Sequence, residues 1–298
     1  MALAPEEILD RLDIEAGATV FVKASRRRLG LDRAGTQRLL DAFIHRLGPN
    51  GTLVMPSFPW PNDRAVLPLA YEFDLARTPS RMGLLSELFR TTPGTLRGEH
   101  YWWPICARGK HAQHLTEGQL TVRHPFGPGS SAHRLLDVPT KMVGIGVTTN
   151  YNIITHVVDA ELEPRYPRPL FTREPAWGIV IKQDGTRHRM ETLTVPQSVR
   201  ALVKPSELIA RSDIRLKAFE HDGAFFWTLD AKAYYDASHR QADEALRQGK
   251  WPAWLERLQD ISPSYRGGPP QTSTMEDFYD RGVLSRPRAT RGDETGGR

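Results

Sequence analysis

Short apolar runs alternate with stretches whose apolar residues recur every three or four positions, and this alternation restricts the chain to few architectures. Thr19-Val-Phe-Val22 and Gly51-Thr-Leu-Val-Met55 are too short and too uniformly apolar for amphipathic helices, so they read as buried strands. Between them, residues 36–47 are helical by apolar spacing, and residues 5–12 form a first amphipathic helix. A helix over 82–90 follows the Thr78-Pro-Ser turn, and 142–147 is another buried strand. Strand and helix in alternation predict an α/β fold, a sheet covered by helices on both faces. The second half is less regular. Strands are expected at 178–182, 187–195 and 224–229 and helices near 204–210 and 241–246, continuing the same body.

With 298 residues, 39% of them apolar, the chain can build a sizeable core. From residue 262 onward Pro, Gly, Ser, Thr and Arg dominate, and burial cannot offset the ordering entropy there. The expected division is a body over 1–261 and a loose tail over 262–298, in which residues 275–279 can dock as a short element. No internal repeat is found. A single cysteine excludes a disulfide framework. The charged opening, MALAPEEILDRLDIEAG, is unlike a secretory signal, and no window approaches a membrane span, so a cytoplasmic protein without a membrane partner is expected. The formal charge of +5 favours anionic ligands, but the excess is scattered and does not compel nucleic acid binding.

The segment Val143-Gly-Ile-Gly-Val-Thr-Thr-Asn150, followed by Thr155-His-Val-Val-Asp159, carries the clearest chemistry. Positions i and i+3 share a helix face, so Asp159 can reach one nitrogen of His156 and leave the other free as a base. His-x-x-Asp also occurs by chance. Here it opens a helix after a strand and a glycine turn, where open α/β sheets place ligands. Zinc is disfavoured because no second His or Cys stands at ligand spacing, and no metal is expected.

Four other segments have both a chemical and a plain structural reading. Val22-Lys-Ala-Ser-Arg-Arg-Arg-Leu-Gly30 combines a hydroxyl, four cations and a glycine suited to phosphates, or is a solvated basic loop. It lacks the glycines of a P-loop or dinucleotide fingerprint. The hydroxyls of Thr78-Pro-Ser80 can cap a helix or let its amides meet an anion. Tyr101, Trp102 and Trp103 beside His100 cannot all face inward on one regular element, so at least one is expected to line a pocket or interface. Phe126-Gly-Pro-Gly-Ser-Ser131 is a hydroxyl-bearing loop or an ordinary turn.

Taken in order, VKASRRRLG, GTLVMPSFPW, FDLARTPSRMGLLSELFR, LRGEHYWWPICARG, FGPGSSAHRL and VGIGVTTNYNIITHVVD resemble the aminoglycoside 3-N-acetyltransferase family, the antibiotic N-acetyltransferases. The resemblance covers residues 5–161, and more weakly extends to 229. It implies a three-layer α/β/α fold with a central, mostly mixed sheet, and transfer of an acetyl or related acyl group from an acyl-coenzyme A to an amine. By resemblance, Ser25, Arg27, Leu29 and Gly30, then Thr78, Pro79, Ser80, Met82 and Gly83, and finally Ser130 and Ser131, hold the cofactor. His156 and Asp159 match the family's His-Leu-Ala-Glu catalytic segment, with Asp in place of Glu. Trp60, Asp63, His100, Tyr101 and Trp102 are the candidates for contact with the acceptor.

Only an unprotonated amine attacks a thioester, so the chemistry requires a base near neutrality. His156 is expected to be that base, with Asp159 orienting the ring and a group near Ser80 stabilising the oxyanion. Lys23 stands where the family has His, and Tyr101 to Pro104 replace a Pro-x-x-Ser segment. A basic chain is an unusual host for polycations, so the expected acceptor is a less cationic or partly aromatic natural-product amine. Three alternatives stay open: an aminoglycoside acceptor with a resistance role, a covalent acyl-enzyme on Cys106, and a non-catalytic binder of an acidic partner. A small-molecule amine is the expected partner, and a homodimer is open.

Overall fold

The computed structural model describes residues 3–59, 71–150, 152–166, 170–171, 175–193 and 214–249. Its centre is a seven-stranded mixed sheet. The strands are β1 (Thr19–Ala24), β2 (Thr52–Pro56), β4 (Leu96–Arg97), β5 (Ile105–Gly109), β6 (Thr140–Ile145), β9 (Lys217–His221) and β10 (Ala224–Asp230). Their order is β4-β5-β2-β1-β6-β10-β9. β1 runs parallel to β2 and β6, whereas β5, β4, β10 and β9 join antiparallel.

Side-chain alternation divides the core into two halves, one on each face of the sheet. Val20 and Val22 of β1, Leu53 and Met55 of β2, and Val143 and Ile145 of β6 point to one face. There they meet α1 (Pro5–Arg11), α2 (Arg33–Leu47) and α3 (Leu84–Thr91) through Leu9, Leu39, Leu40, Phe43 and Phe89. Phe21, Val54 and Met142 point the other way. They meet α4 (Ala112–Thr116), α5 (Ser131–Arg134), α6 (Ile154–Leu162) and α7 (Ala231–Arg247) through Leu115, Ala132, Ile154, Val157 and Tyr234. The result is the three-layer α/β/α arrangement expected from the alternation.

Caps decide where the helices depart from their expected bounds. Asp32 accepts from the Gly35 amide at 2.6 Å and starts α2 three residues earlier than apolar spacing alone suggests. Asp230 does the same for α7, accepting from Ala233 at 2.7 Å, so a helix expected only near 241–246 begins at Ala231. Gly83, at φ 103°, defers α3 to Leu84. β7 (Ala176–Ile181) and β8 (Arg187–Thr192) do not continue the main sheet. They pair antiparallel and, with β3 (Tyr71–Asp74) parallel to β7, form a separate three-stranded sheet. Its Phe73, Val180 and Met190 pack into the same core half as α6. The helix expected near 204–210 and the tail over 262–298 lie outside the described residues.

Candidate active site

The parallel strands β2, β1 and β6 end on the same side of the sheet, and the segments that leave them enclose a cavity of about 700 Å³. Lys23 to Arg28 enter it from the end of β1 and the turn that follows, Pro56 and Phe58 from the end of β2 and just beyond, and Gly146, Val147, Thr148 and Asn150 after β6. Hydrogen bonds hold these loops to the neighbouring strands. The Ser25 amide donates to Ile145 O at 2.9 Å, and the Gly146 amide to Phe225 O at 2.8 Å. Arg97, buried on β4, donates to the carbonyls of Ser57, at 2.8 Å, and Thr78, tying the end of β2 to the turn before α3.

His156 sits at the start of α6. Asn152 Oδ1 accepts from the Ile154 amide at 3.0 Å and fixes the entry to that helix. The imidazole lines the cavity with 18% of its side chain exposed, whereas Asp159 is buried at 3%. Nδ1 of His156 lies 3.5 Å from Oδ2 of Asp159. The ring is backed by Phe126, 4.8 Å between centroids, and lies 6.3 Å from Trp103.

The remaining wall is strongly one-signed. Lys23, Arg26, Arg27, Arg28 and Arg81 line the cavity, and its described lining includes no carboxylate. α3 also begins there. Gly83 offers no side-chain cap, and Leu84, Leu85 and Ser86 border the space, so the first turn of a helix faces a cationic cavity.

Of the residues expected to bind the cofactor, Ser25, Arg27, Met82 and Gly83 line this cavity. Leu29 packs against the core, and Gly30, at φ 64°, completes the turn behind the arginines. The others are occupied elsewhere. Thr78 Oγ1 accepts from the Asp74 amide at 2.9 Å, and Pro79 lies beside it in the turn. The Ser80 amide donates to Glu87 Oε2 at 2.7 Å, and its hydroxyl accepts from Met82 at 3.2 Å. That amide is therefore already engaged within the turn. Ser130 caps α5 through the His133 amide at 3.2 Å, and Ser131 donates to Leu115 O at 2.8 Å. Both serines close internal turns, and neither borders the cavity.

Three expected acceptor contacts are placed away from the cavity. His100 is 2% exposed; its Nδ1 accepts from the amides of Trp102 and Trp103, at 3.2 and 3.0 Å, and its Nε2 faces Thr192 Oγ1 at 3.0 Å. Burial pushes its imidazole down to about 3, so it is a neutral internal strut. Tyr101 and Trp102 are buried in the core. Trp103, left out of the expected contacts, is the member of the trio that lines the cavity. The irregular chain over 100–103 lets all three rings bury while only one borders the space. Trp60 and Asp63 lie outside the described residues.

Cys106 is fully buried on the opposite face of the sheet, among the residues that pack against α2 and α3, and burial pushes its thiol up. A buried neutral thiol away from the cavity is no nucleophile for the acyl group. Among the described residues no cluster of three His, Cys, Asp or Glu side chains is placed to hold a metal ion, and no helix is long and apolar enough to cross a membrane.

The sequence profile of the family described as aminoglycoside 3-N-acetyltransferase matches residues 21–241. Aminoglycoside N(3)-acetyltransferase IX of Micromonospora chalcea is 26% identical over 222 residues, 67% of this chain and 77% of that protein. Among solved structures, AAC-VIa bound to sisomicin superposes with a TM-score of 0.66 at 21% identity, covering 82% of this chain and 98% of the other. The binary complex of AAC-IIIb with CoASH gives 0.65 at 20% identity, covering 80% and 95%. These two structures share the fold. With nearly three quarters of its length matched by the family profile, the chain belongs to the aminoglycoside 3-N-acetyltransferase family and is an acyltransferase.

Proposed function

We propose that this chain transfers an acetyl group from acetyl coenzyme A to an amine of an aminoglycoside, with His156 as the general base. The observation that carries the cofactor and base in this reading is one cavity in which His156, backed by Asp159, meets five cationic side chains with no carboxylate in the described lining. Coenzyme A brings phosphates, and a cationic rim beside a helix start matches that charge. Arg26, Arg27, Arg28 and Arg81 would hold those groups, with Ser25 and Gly83 beside them. When bound, the cofactor supplies a thioester carbonyl already activated for attack.

The protein's own residues then manage protons. Asp159 faces Nδ1 and favours the tautomer that carries its proton there, so Nε2 is left to take a proton from the acceptor amine. The buried carboxylate then stabilises the imidazolium that results. With Cys106 on the other face of the sheet, the amine attacks the acyl group directly.

An aminoglycoside acceptor is supported by the relatives, whose names carry that substrate class, and one of which holds sisomicin. The rival expectation of a less cationic acceptor rested on the basic loop and on Tyr101 to Pro104. The loop is accounted for by an anionic cofactor, and Tyr101 and Trp102 are core residues. Release of coenzyme A thiol in the presence of sisomicin or gentamicin tests both parts. His156→Ala should lower turnover by about 10²–10⁴-fold with an unchanged circular dichroism spectrum. Full activity in that variant would overturn the base assignment, and faster turnover of simple aromatic amines than of either drug would overturn the acceptor.

A further inference from the structure

Asp159 has a second neighbour besides His156. Beyond α6 a single tight turn, Glu163–Arg165, reverses the chain, and Arg165 pairs with Asp243 of α7 to fix it. Tyr166 comes next. Its ring is buried at 8% exposure, and its hydroxyl donates back across seven residues to Oδ1 of Asp159 at 3.3 Å. The two carboxylate oxygens are thus divided, Oδ1 toward Tyr166 and Oδ2 toward His156 Nδ1.

We propose that Tyr166 is the positioning residue of the catalytic pair, holding the Asp159 carboxylate in the rotamer that faces His156. The inference rests on the reading of His156 as the base. An aspartate side chain has two rotatable bonds, and at 3.5 Å the Nδ1 to Oδ2 contact is too long to fix its rotamer alone. A second anchor on the other oxygen removes that freedom. Tyr166 suits the task because burial, followed by the nearby Asp159 carboxylate, pushes its hydroxyl well above the ordinary range, so it remains a donor throughout the working pH range. Among the described residues, Glu163, Arg165 and Tyr234 are further ionisable groups near Tyr166 and Asp159. Tyr234 is engaged with Thr155 Oγ1 at 2.9 Å and Arg165 with Asp243, whereas the Tyr166 hydroxyl is directed at Oδ1.

The test is a double-mutant cycle read together with the NMR signals of His156. Tyr166→Phe removes only the hydroxyl, and kcat should fall about tenfold while KM for acetyl coenzyme A stays within about twofold. In an Asp159→Asn background the same change should have little further effect, because Tyr166 acts through Asp159. By NMR, the His156 imidazole signals should broaden or double in Tyr166→Phe, as the Asp159 carboxylate samples a second rotamer, while those of His124 and His133 are unmoved. An equal, additive loss in both backgrounds, or unchanged His156 signals, would overturn the proposal. Tyr166→Phe with parental kcat would also overturn it. Loss of activity in His156→Ala together with parental Tyr166→Phe rejects this inference alone, whereas an active His156→Ala rejects the base assignment beneath it.

Discussion

His100 is buried without charge, and a neutral buried imidazole makes stability depend on pH. Its folded-state value is pushed down from 6.5 to about 3, because burial disfavours the imidazolium. Between those values the unfolded chain binds a proton that the folded chain refuses, so its contribution is complete above pH 6.5 and is lost as pH falls toward 3. Urea denaturation from pH 7 to 4 should show stability falling on acidification, and His100→Asn, which keeps an acceptor for the two tryptophan amides, should fall less steeply. Identical slopes would remove His100 from the account. At this scale the sequence was informative where spacing alone decides proximity: His156 and Asp159 meet because i and i+3 share a helix face. It was uninformative where a side chain bonds its own irregular backbone. His100 folds residues 100–103 around its Nδ1, and no periodicity reveals that Trp103 rather than Trp102 then borders the cavity.

Single elements depend on partners far away in sequence, and β6 shows how sharply. A Cβ at Gly144 would stand 2.0 Å from Nε1 of Trp227 on the neighbouring β10, so the glycine is required by an indole lying flat against the strand. That same Nε1–H donates to the Val147 carbonyl at 2.8 Å, holding the loop that carries Gly146 to Asn150 into the cavity. Gly144→Ala should therefore displace Trp227 and cost about 1–3 kcal/mol of stability by overpacking. The same variant should raise KM for acetyl coenzyme A. Parental denaturation and kinetics would show that the strand absorbs the methyl group. The strand over 142–147 was legible from its apolar run and helix α2 from its period, since both patterns are local. β5 was not, because Ile105-Cys-Ala reads as filler until its pairing with β2 is known, and the main sheet's edge strand β9 has little apolar content of its own. β7 and β8 were legible as strands, but their separation into a second sheet with β3 was hidden. It is created by a long-range parallel pairing that no stretch of sequence announces.

On the scale of the whole molecule, the three-layer arrangement gathers a modest excess of positive charge into one place. A formal charge of +5 spread over 298 residues would attract anions weakly. The turn after β1 instead places Arg26, Arg27 and Arg28 together, all exposed, at the cavity where α3 begins. Arg26 also braces the turn, donating to Leu31 O at 3.0 Å, so Arg27 and Arg28 isolate the electrostatic contribution best. Exposed charges act through a screened field, and their influence should collapse as the Debye length falls from about 10 Å at 0.1 M salt to about 4 Å at 0.5 M. Calorimetric titration of coenzyme A should therefore weaken with added salt in the parent protein. The Arg27→Ala, Arg28→Ala double variant should bind roughly tenfold more weakly at low salt, two exposed contacts of up to about 1 kcal/mol each, and should lose much of that salt dependence. Unlike Gly144→Ala, it should leave stability nearly unchanged, because neither guanidinium supports the core. A parent affinity indifferent to salt, or a double variant indistinguishable from it, would mean that these arginines serve something other than the phosphates, and the cationic cavity would lose its claim to the cofactor.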